Sequence, residues 1–184
     1  GKAHIGLVGS TPPYFEKGIN KEPSYNESEW FVIGSRQNRV PKNLDTIEPN
    51  SLVVANGGKP ALLLSRLKSS HSSLSWLELS DSNTRQIIEQ VNKGHIKLTL
   101  IDADTYRYYR YLYPETRKAF TLPKQYPSRW LSVNIDDDNS LVQSINHFIN
   151  EYRHSGQLSQ LHNIYFNHLT DFNYVDALYY LKRI

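Results

Sequence analysis

Two acidic residues, Asp102 and Asp104, stand at the end of a short apolar run that is rich in β-branched side chains. Such a run is typical of a buried strand, and a tyrosine-rich helix is predicted to follow over residues 103–113, before Pro114. Ligands of open α/β sheets gather at the carboxyl ends of strands, so Asp102 is the first candidate for a binding group. Its carboxylate can accept hydrogen bonds from an ammonium ligand, or it can cap the following helix. The residues alone favour the cap and leave both roles open.

A second candidate is the turn Gly57-Gly58-Lys59, which precedes a predicted helix. The free N–H groups and the dipole of a helix N-terminus can receive a carboxylate. An ordinary strand-to-helix turn explains two glycines equally well, and it is the favoured interpretation of this segment.

Five tyrosines between Tyr106 and Tyr113 invite a stacking interpretation, with sugars or single-stranded nucleic acid as the ligand. Helical spacing, however, places Tyr106, Tyr109 and Tyr113 on one face and Tyr108 and Tyr111 on another. Such a helix usually buries one face and leaves the other wet. We therefore predict that these rings serve packing.

No pattern in the sequence predicts a catalytic site, a metal or a cofactor. The seven histidines, among them His147 and His154, lack metal-ligand spacing, and Asp136-Asp137-Asp138 is better explained as a solvated turn with a helix cap. With no cysteine, disulfides, thiolate catalysis and cysteine–zinc sites are excluded. No nucleophile elbow or phosphate-binding loop is present either.

The composition is that of a globular protein, with 39% hydrophobic and 21% charged residues among 184. This length allows one domain or two small lobes. The net charge is only +3, and the basic residues are scattered, so we expect no nucleic-acid partner. No apolar run approaches the roughly 18 residues of a membrane span. Residues 1–9 read as the end of a helix leading into a buried strand, so we expect a piece excised from a longer protein.

The apolar patterning predicts strands alternating with helices. The predicted strands cover residues 5–9, 29–35, 51–55, 74–79, 96–101, 117–122 and 129–135. Predicted helices cover 60–68, the segment from a cap at Ser80 or Asp81 to Asn92, 103–113, and two further segments separated by Ser155-Gly156. Residues 10–27 contain three prolines and Gly18, so an irregular connection is expected there. The alternation favours an α/β fold with a mostly parallel sheet flanked by helices.

Several segments occur in an order known from one family, and the most specific is Asp171-Phe172-Asn173-Tyr174-Val175-Asp176. The others are residues 1–9, 39–44, 74–76, 101–103, 113–115, 155–158 and 164–168. Together they resemble the second half of a type II periplasmic solute-binding module of the polar amino-acid kind. More narrowly, the chain resembles the module that precedes the catalytic domain in the membrane-bound lytic murein transglycosylase F family.

The resemblance implies a division of the chain into four parts. Residues 1–27 would be a remnant of lobe 1 with the crossover, and residues 28–135 a complete lobe 2. Residues 136–168 would be C-terminal helices that return toward lobe 1. Residues 169–184 would be a linker into an absent catalytic domain.

The resemblance also implies a ligand cleft lined by Asp102, Ala103 and the turn Gly57-Gly58-Lys59. Asp102 matches the position whose carboxylate holds the α-amino group of amino-acid ligands. The family's arginine that clamps the ligand carboxylate is replaced by Phe15, which cannot form a bidentate contact. Either the ligand is not a free amino acid or binding has been lost.

By resemblance, the chain is a non-catalytic regulatory module that senses a muropeptide or an amino acid. It would tune an adjoining transglycosylase domain of the same protein, which acts on peptidoglycan. The implied location is the periplasm, with the parent anchored to the outer membrane of a Gram-negative bacterium. The alternative is a stand-alone periplasmic amino-acid-binding protein or a receptor sensor domain.

Overall fold

The computed structural model describes residues 5–8, 19–123, 126–133 and 140–167. The chain divides into two compact units, Gly1–Asn139 and Ser140–Ile184. The described strands of the first unit are β1 (Ile5–Val8), β2 (Ile19–Ser28), β3 (Trp30–Ser35), β4 (Leu52–Ala55), β5 (Trp76–Leu79), β6 (Leu98–Asp102), β7 (Thr116–Thr121) and β8 (Tyr126–Val133). Its helices are α1 (Lys59–Leu67), α2 (Thr84–Asn92) and α3 (Ala103–Tyr109), with a 3-10 turn at Leu44–Thr46.

A five-stranded sheet in the order β5-β4-β6-β3-β7 forms the centre of this unit. Strand β4 runs parallel to β5 and β6, whereas β3 runs antiparallel to β6 and β7. The α/β fold class is therefore confirmed, and four of the five strands run in the same direction, with β3 as the antiparallel exception. An apolar run predicts a buried strand in either direction, so the patterning could not reveal how β3 is oriented.

The expectation of an irregular connection over residues 10–27 was wrong for its second half. Residues from Ile19 onward form β2, which pairs antiparallel with β8 in a three-stranded sheet of order β1-β8-β2. Pro23 interrupts the pairing register between Lys21 and Ser24, and β2 lies at an edge of the described sheet. A register shift and an edge strand both tolerate a proline, because a residue there does not have to donate a hydrogen bond to a neighbouring strand.

The core lies on both faces of the five-stranded sheet, and β3 contributes buried side chains to each face. Trp30 and Val32 join one buried cluster with residues of α1, while Phe31 and Ile33 join another with Ile88 of α2. Side chains alternate across a strand, so one central strand feeds both clusters. All six β3 residues are buried, as expected of a strand with a neighbour on each side.

The ends of α2 and α3 differ in detail from their predictions. Asn83, not Ser80 or Asp81, caps α2, and it forms a capping box with Gln86. Gly94 follows α2 with φ +78°, which confirms the predicted glycine stop. Helix α3 ends at Tyr109 rather than at residue 113.

The second unit contains α4 (Ser140–His154), α5 (Gln157–His162) and a π-type turn at Asn163–Asn167. Gly156 has φ +76°, so the predicted break between the two helices is confirmed. No residue of α4 or α5 is buried, and Phe148 of α4 is 52% exposed. The predicted turn and helix cap at 136–138 and the segment at 171–176 lie outside the described residues.

None of the helices in the described ranges is both long enough and apolar enough to cross a membrane.

Candidate functional site

The carboxyl ends of β4 and β6 lie side by side and form the floor of the candidate site. The two strands are parallel neighbours, with Leu52 paired to Leu98, so they finish at the same edge of the sheet. Each is followed closely by a helix, α1 from Lys59 and α3 from Ala103. The turn at Gly57-Gly58-Lys59 and the acidic start of α3 are therefore brought to the same edge, as the resemblance implies.

Asp102 is the N-cap of α3. Its Oδ1 accepts the Thr105 backbone N–H at 2.9 Å, and its Oδ2 accepts the Thr105 hydroxyl at 2.7 Å. The residue has φ −74° and ψ 155°, the extended conformation of a cap. The cap interpretation is therefore confirmed, and both carboxylate oxygens have a partner on their own helix. A role in ligand binding stays a prediction.

Ala103 lies beneath the site. Its N–H donates to the Glu29 carbonyl at 2.9 Å, and the residue is only 4% exposed within the second core cluster. Its N–H is already bonded and its side chain faces apolar neighbours. We therefore assign Ala103 to supporting the strand end rather than to supplying a donor.

The glycine turn is held by protein atoms. The Gly57 N–H donates to Glu78 Oε2 at 3.3 Å, and the Gly58 N–H donates to the Ala55 carbonyl at 3.2 Å. Gly57 has φ +63°, a left-handed conformation that glycine adopts without strain. These contacts are those of an ordinary strand-to-helix turn. The two glycine N–H groups therefore donate their hydrogen bonds within the protein and stabilise the turn.

The N-terminus of α1 is nevertheless left without a side-chain cap. Gly58 occupies the N-cap position and has no side chain to accept a hydrogen bond. In the first turn, Lys59 and Ala61 carry backbone N–H groups, and Pro60 carries none. The positive end of this nine-residue helix thus faces the same edge as the start of α3.

Lys59, the first residue of α1, interacts with Trp30 of β3 and with the charges of Asp102 and Asp104. Its ammonium nitrogen lies 5.4 Å from the centre of the Trp30 ring, within cation–π distance. Partial burial lowers the pKa of Lys59 from its ordinary 10.5, while the charges of Asp102 and Asp104 act against that lowering. The ammonium of Lys59 therefore lies over the indole face, and the charges of the two aspartates favour its protonated form.

Asp104 is the second acid of this edge. It is 15% exposed and accepts Arg107 Nη1 at 2.9 Å, one turn further along α3. The pattern of two acids at a strand end was visible in the sequence, but only Asp102 was predicted to bind. The position of Asp104 relative to Lys59 depends on the pairing of β4 with β6.

Trp30 is a site residue that sequence reasoning missed. It is 1% exposed, it pairs with Asp102 across β3 and β6, and its ring lies against Lys59. Its indole N–H has no acceptor among the described residues. A buried indole N–H usually has a partner, so this donor is an exception among the buried polar groups. Only its place at the start of an apolar run could have pointed to it.

The tyrosines of α3 serve packing on one face, which confirms the prediction. Tyr106 and Tyr109 pack against the second core cluster and Tyr113 is 9% exposed, whereas Tyr108 is 54% exposed. Tyr106 meets Phe31 edge to face, with 5.9 Å between ring centres. Burial raises the pKa of the Tyr106 hydroxyl above its ordinary 10.0. Tyr111, on the other face, is 36% exposed.

The remaining sequence candidates are the histidines, Phe15 and the acidic run at 136–138. Within the described part of the chain, no three histidine, aspartate or glutamate side chains lie close enough together to hold a metal ion. His147 lies 3.4 Å from Glu151, an exposed pair one turn apart on α4. Phe15 and Asp136-Asp137-Asp138 lie outside the described residues.

The chain has the type II periplasmic binding-protein fold, which it shares with several solved structures. An ancestral arginine-binding protein bound to arginine superposes with a TM-score of 0.72 at 14% identity, covering 90% of this chain and 72% of that one. An amino acid ABC transporter substrate-binding protein from Streptococcus pneumoniae, bound to L-arginine, gives 0.73 at 13% identity, covering 91% and 70%. The AvGluR1 ligand binding domain in complex with glutamate gives 0.71 at 13% identity, covering 89% and 68%.

Sequence relatives carry the name membrane-bound lytic murein transglycosylase F, as the resemblance implied. The protein of Hahella chejuensis is 27% identical over 183 residues, which are 99% of this chain and 36% of the relative. That of Photobacterium profundum is 28% identical over 165 residues, 88% of this chain and 32% of the relative. The protein of Salmonella typhi is 29% identical over 161 residues, which are 87% of this chain and 34% of the relative. The chain thus spans about a third of the length of these homologues. No family model matches it.

Proposed function

We propose that the chain is a solute-binding module whose ligand sits at the carboxyl edge of β4 and β6. The observation that carries this proposal is the meeting of the uncapped α1 N-terminus with Lys59 and Asp102 at one edge. A partly buried edge with charges of both signs can orient a small polar ligand. Structural neighbours whose names include bound arginine or glutamate support this placement.

The proposed role of binding is regulatory. The ligand is an amino acid or a muropeptide, and the adjoining domain of the same protein is a lytic transglycosylase that cleaves peptidoglycan. Ligand-dependent closure of the two lobes would shift the population of active transglycosylase. The names of the relatives support this role, and so does the fact that they are about three times as long as the chain. The division at residues 27, 135 and 168 and the linker at 169–184 belong to the same proposal.

The proposed location follows from the same relatives. Proteins named as membrane-bound and acting on murein meet their substrate in the periplasm, so we place the module there. Anchoring of the parent to the outer membrane of a Gram-negative bacterium completes the proposal. No residue of this chain is assigned a catalytic role, and no nucleic acid is a partner.

Removing the charge of Asp102 while keeping its cap tests the site. Asparagine is as good an N-cap as aspartate, so Asp102→Asn should fold normally. The affinity for L-alanine, N-acetyl-L-alanine and a murein stem peptide, measured by titration calorimetry, should change at least about threefold in either direction for every probe that binds. Asp45→Asn, on the 3-10 turn that precedes β4, is the control and should change nothing. Unchanged affinities in Asp102→Asn would remove the site from this edge.

A stand-alone binding protein or a receptor sensor domain is the second candidate. The likeness to a receptor ligand-binding domain favours it. Purification of the full-length protein distinguishes the two candidates. A single polypeptide that contains this module and cleaves murein supports the regulatory module of a transglycosylase. A polypeptide that ends with the binding module, or continues into a membrane receptor, supports the second. The chain itself, incubated with purified murein, should release no soluble fragments.

A further inference from the structure

We propose that the outer side of the last turn of α3 docks on an anionic phospholipid surface. This docking surface, the α3 patch, consists of three apolar side chains and three exposed arginines: Tyr108, Tyr111, Leu112, Arg36, Arg85 and Arg110. The proposal goes beyond the solute-binding function and does not depend on it. It concerns how the module is held beside the membrane to which we propose that the parent protein is anchored.

The apolar part of the α3 patch is the side of the tyrosine segment that does not pack on the core. Tyr108 is 54% exposed, Tyr111 is 36% exposed and Leu112 is 60% exposed. Backbone hydrogen bonds between residues four apart continue beyond Tyr109 as far as Tyr113, so helical spacing holds through this segment. Residues three and four apart share one side of a helix, which makes the three exposed side chains neighbours. Tyrosine rings and an aliphatic side chain suit the boundary between lipid headgroups and acyl chains.

The basic part of the α3 patch is formed by arginines from three different segments. Arg36 Nε donates to the Pro114 carbonyl at 3.0 Å, and Arg85 Nε donates to the Tyr113 hydroxyl at 3.3 Å. The guanidinium of Arg110 lies 4.9 Å from the ring centre of the tyrosine that follows it. No carboxylate of the described residues lies within 4.0 Å of these three side chains. A guanidinium has five N–H donors, so donors are left for the phosphate oxygens of lipids.

The α3 patch keeps a positive charge when the neighbouring acids are counted. Arg107 of α3 is paired with Asp104, and Glu115 is an exposed acid just after the patch. The nearby pair of Glu89 and Lys93 on α2 is neutral. With Arg107 included, four arginines stand against two acids. The sign of this charge is complementary to an anionic lipid surface, where each basic side chain strengthens binding about fivefold.

The α3 patch lies at the opposite end of the sheet from the candidate ligand site. Helix α3 begins at the carboxyl end of β6, and its last turn leads to Pro114, which is bonded to Arg36 just beyond β3. The end of β3 lies beside the start of β6, because Gly34 pairs with Leu98. A lipid surface against the patch therefore leaves the carboxyl edge of β4 and β6 open to a ligand.

A lipid surface fits the α3 patch better than a folded protein partner does. Each side of a standard protein interface uses roughly 20–30 residues, far more than this one helix turn offers. A bilayer needs no matching shape, and a small apolar and basic patch gives weak, reversible binding to it. Such binding becomes effective when a second anchor already holds the protein at the membrane.

Co-sedimentation of the chain with lipid vesicles tests this docking surface. Vesicles of phosphatidylglycerol and phosphatidylcholine in equal parts should bind the chain at least about tenfold more tightly than vesicles of phosphatidylcholine alone. Raising the salt to about 0.5 M should abolish most of this difference, because the charges are exposed and screened. Equal binding to both vesicles, or none at low salt, would overturn the proposal and leave the solute-binding function standing. Vesicle binding by a chain that binds no small ligand would overturn only the solute-binding function.

Two pairs of variants separate the α3 patch from the rest of the surface. Arg110→Gln should weaken binding to the anionic vesicles about fivefold, and Leu112→Ser should weaken it by a similar factor. Lys42→Gln is the charge control, because its segment packs on the other face of the sheet from α3. Leu77→Ser is the apolar control, since Leu77 is 47% exposed on the edge strand β5. Unchanged binding in the two patch variants, or equal losses in the two controls, would contradict the proposal.

Self-association is the competing use of the α3 patch. Analytical ultracentrifugation of the chain without lipid distinguishes the two uses. A dimer that Leu112→Ser dissociates would make the patch an interface between two copies and would overturn the lipid proposal. A monomer, or a dimer that this variant leaves intact, keeps the patch accessible and supports docking on lipid.

Discussion

Asp102 holds the first turn of α3 together through two hydrogen bonds to Thr105, one from the backbone and one from the hydroxyl. Asp102→Ala removes both acceptors, so the free energy of unfolding should fall by about 1 kcal/mol, within a range of roughly 0.5–2. Asp102→Asn should cost less than half of that. Urea unfolding followed by tryptophan fluorescence gives both values. Equal losses in the two variants would show that the charge, and not the cap, stabilises this helix.

Tyr106 predicts a pH dependence of stability. Burial raises the pKa of its hydroxyl in the folded chain above the ordinary 10.0. The stability gained from the buried neutral hydroxyl is therefore complete below pH 10 and is lost as the pH rises through the folded pKa, since the unfolded chain ionises first. The free energy of unfolding, relative to that of Tyr106→Phe, should fall as the pH rises above 10.

Urea unfolding at several pH values measures this difference, and phenolate absorbance at 295 nm shows whether one tyrosine ionises late. Tyr108→Phe, on the exposed face of the same helix, is the control. A difference between the original chain and Tyr106→Phe that stays constant across this pH range would contradict the prediction.

At the scale of single elements, Gly34 shows how closely β3 is packed. A Cβ at this position would lie 2.9 Å from Val40 Cγ1, 3.0 Å from the Lys97 carbonyl oxygen and 3.1 Å from Leu98 Cδ2. These neighbours include backbone, which cannot move aside cheaply. Gly34→Ala should therefore lower the free energy of unfolding by about 1–3 kcal/mol. Gly57→Asn is the control, because nothing lies within 4 Å there and asparagine tolerates positive φ. A neutral Gly34→Ala would mean that β3 and β6 can separate locally.

Local chemistry made the helices and their ends predictable. Pro60 in the first turn of α1 and Gly94 after α2 mark boundaries that depend on neighbouring residues alone. The Asp102 cap depends on a residue only three positions away. These features could be derived from the sequence because their physical causes are short-range.

Pairing between distant strands could not be derived in the same way. The antiparallel place of β3 and the strand formed around Pro23 depend on partners that lie many positions away. The same limit applies to the site: Trp30 and Lys59 come together only after β3, β4 and β6 have assembled. The positions of the two helix starts were predictable, but the contact between Trp30 and Lys59 was not.

At the scale of the whole molecule, binding at this edge should stabilise the folded chain. A ligand that binds only the folded state raises the free energy of unfolding by about 2.7 kcal/mol at a hundredfold excess over its Kd. Any probe that binds, whether L-alanine, N-acetyl-L-alanine or a murein stem peptide, should therefore raise the Tm progressively with concentration, and Asp102→Asn should change that dependence. Differential scanning fluorimetry measures both curves. Identical curves would place the ligand elsewhere.

The central position of β3 also has a consequence for synthesis of the chain. Gly34 pairs with Leu98, which follows it by 64 positions. At about 5–20 residues per second, the ribosome needs about 3–13 s to make that intervening segment. During those seconds a strand whose six residues are all buried in the finished sheet has neither neighbour to pair with. The nascent chain is most exposed to aggregation in that interval, before β6 and β7 emerge and close the sheet around it.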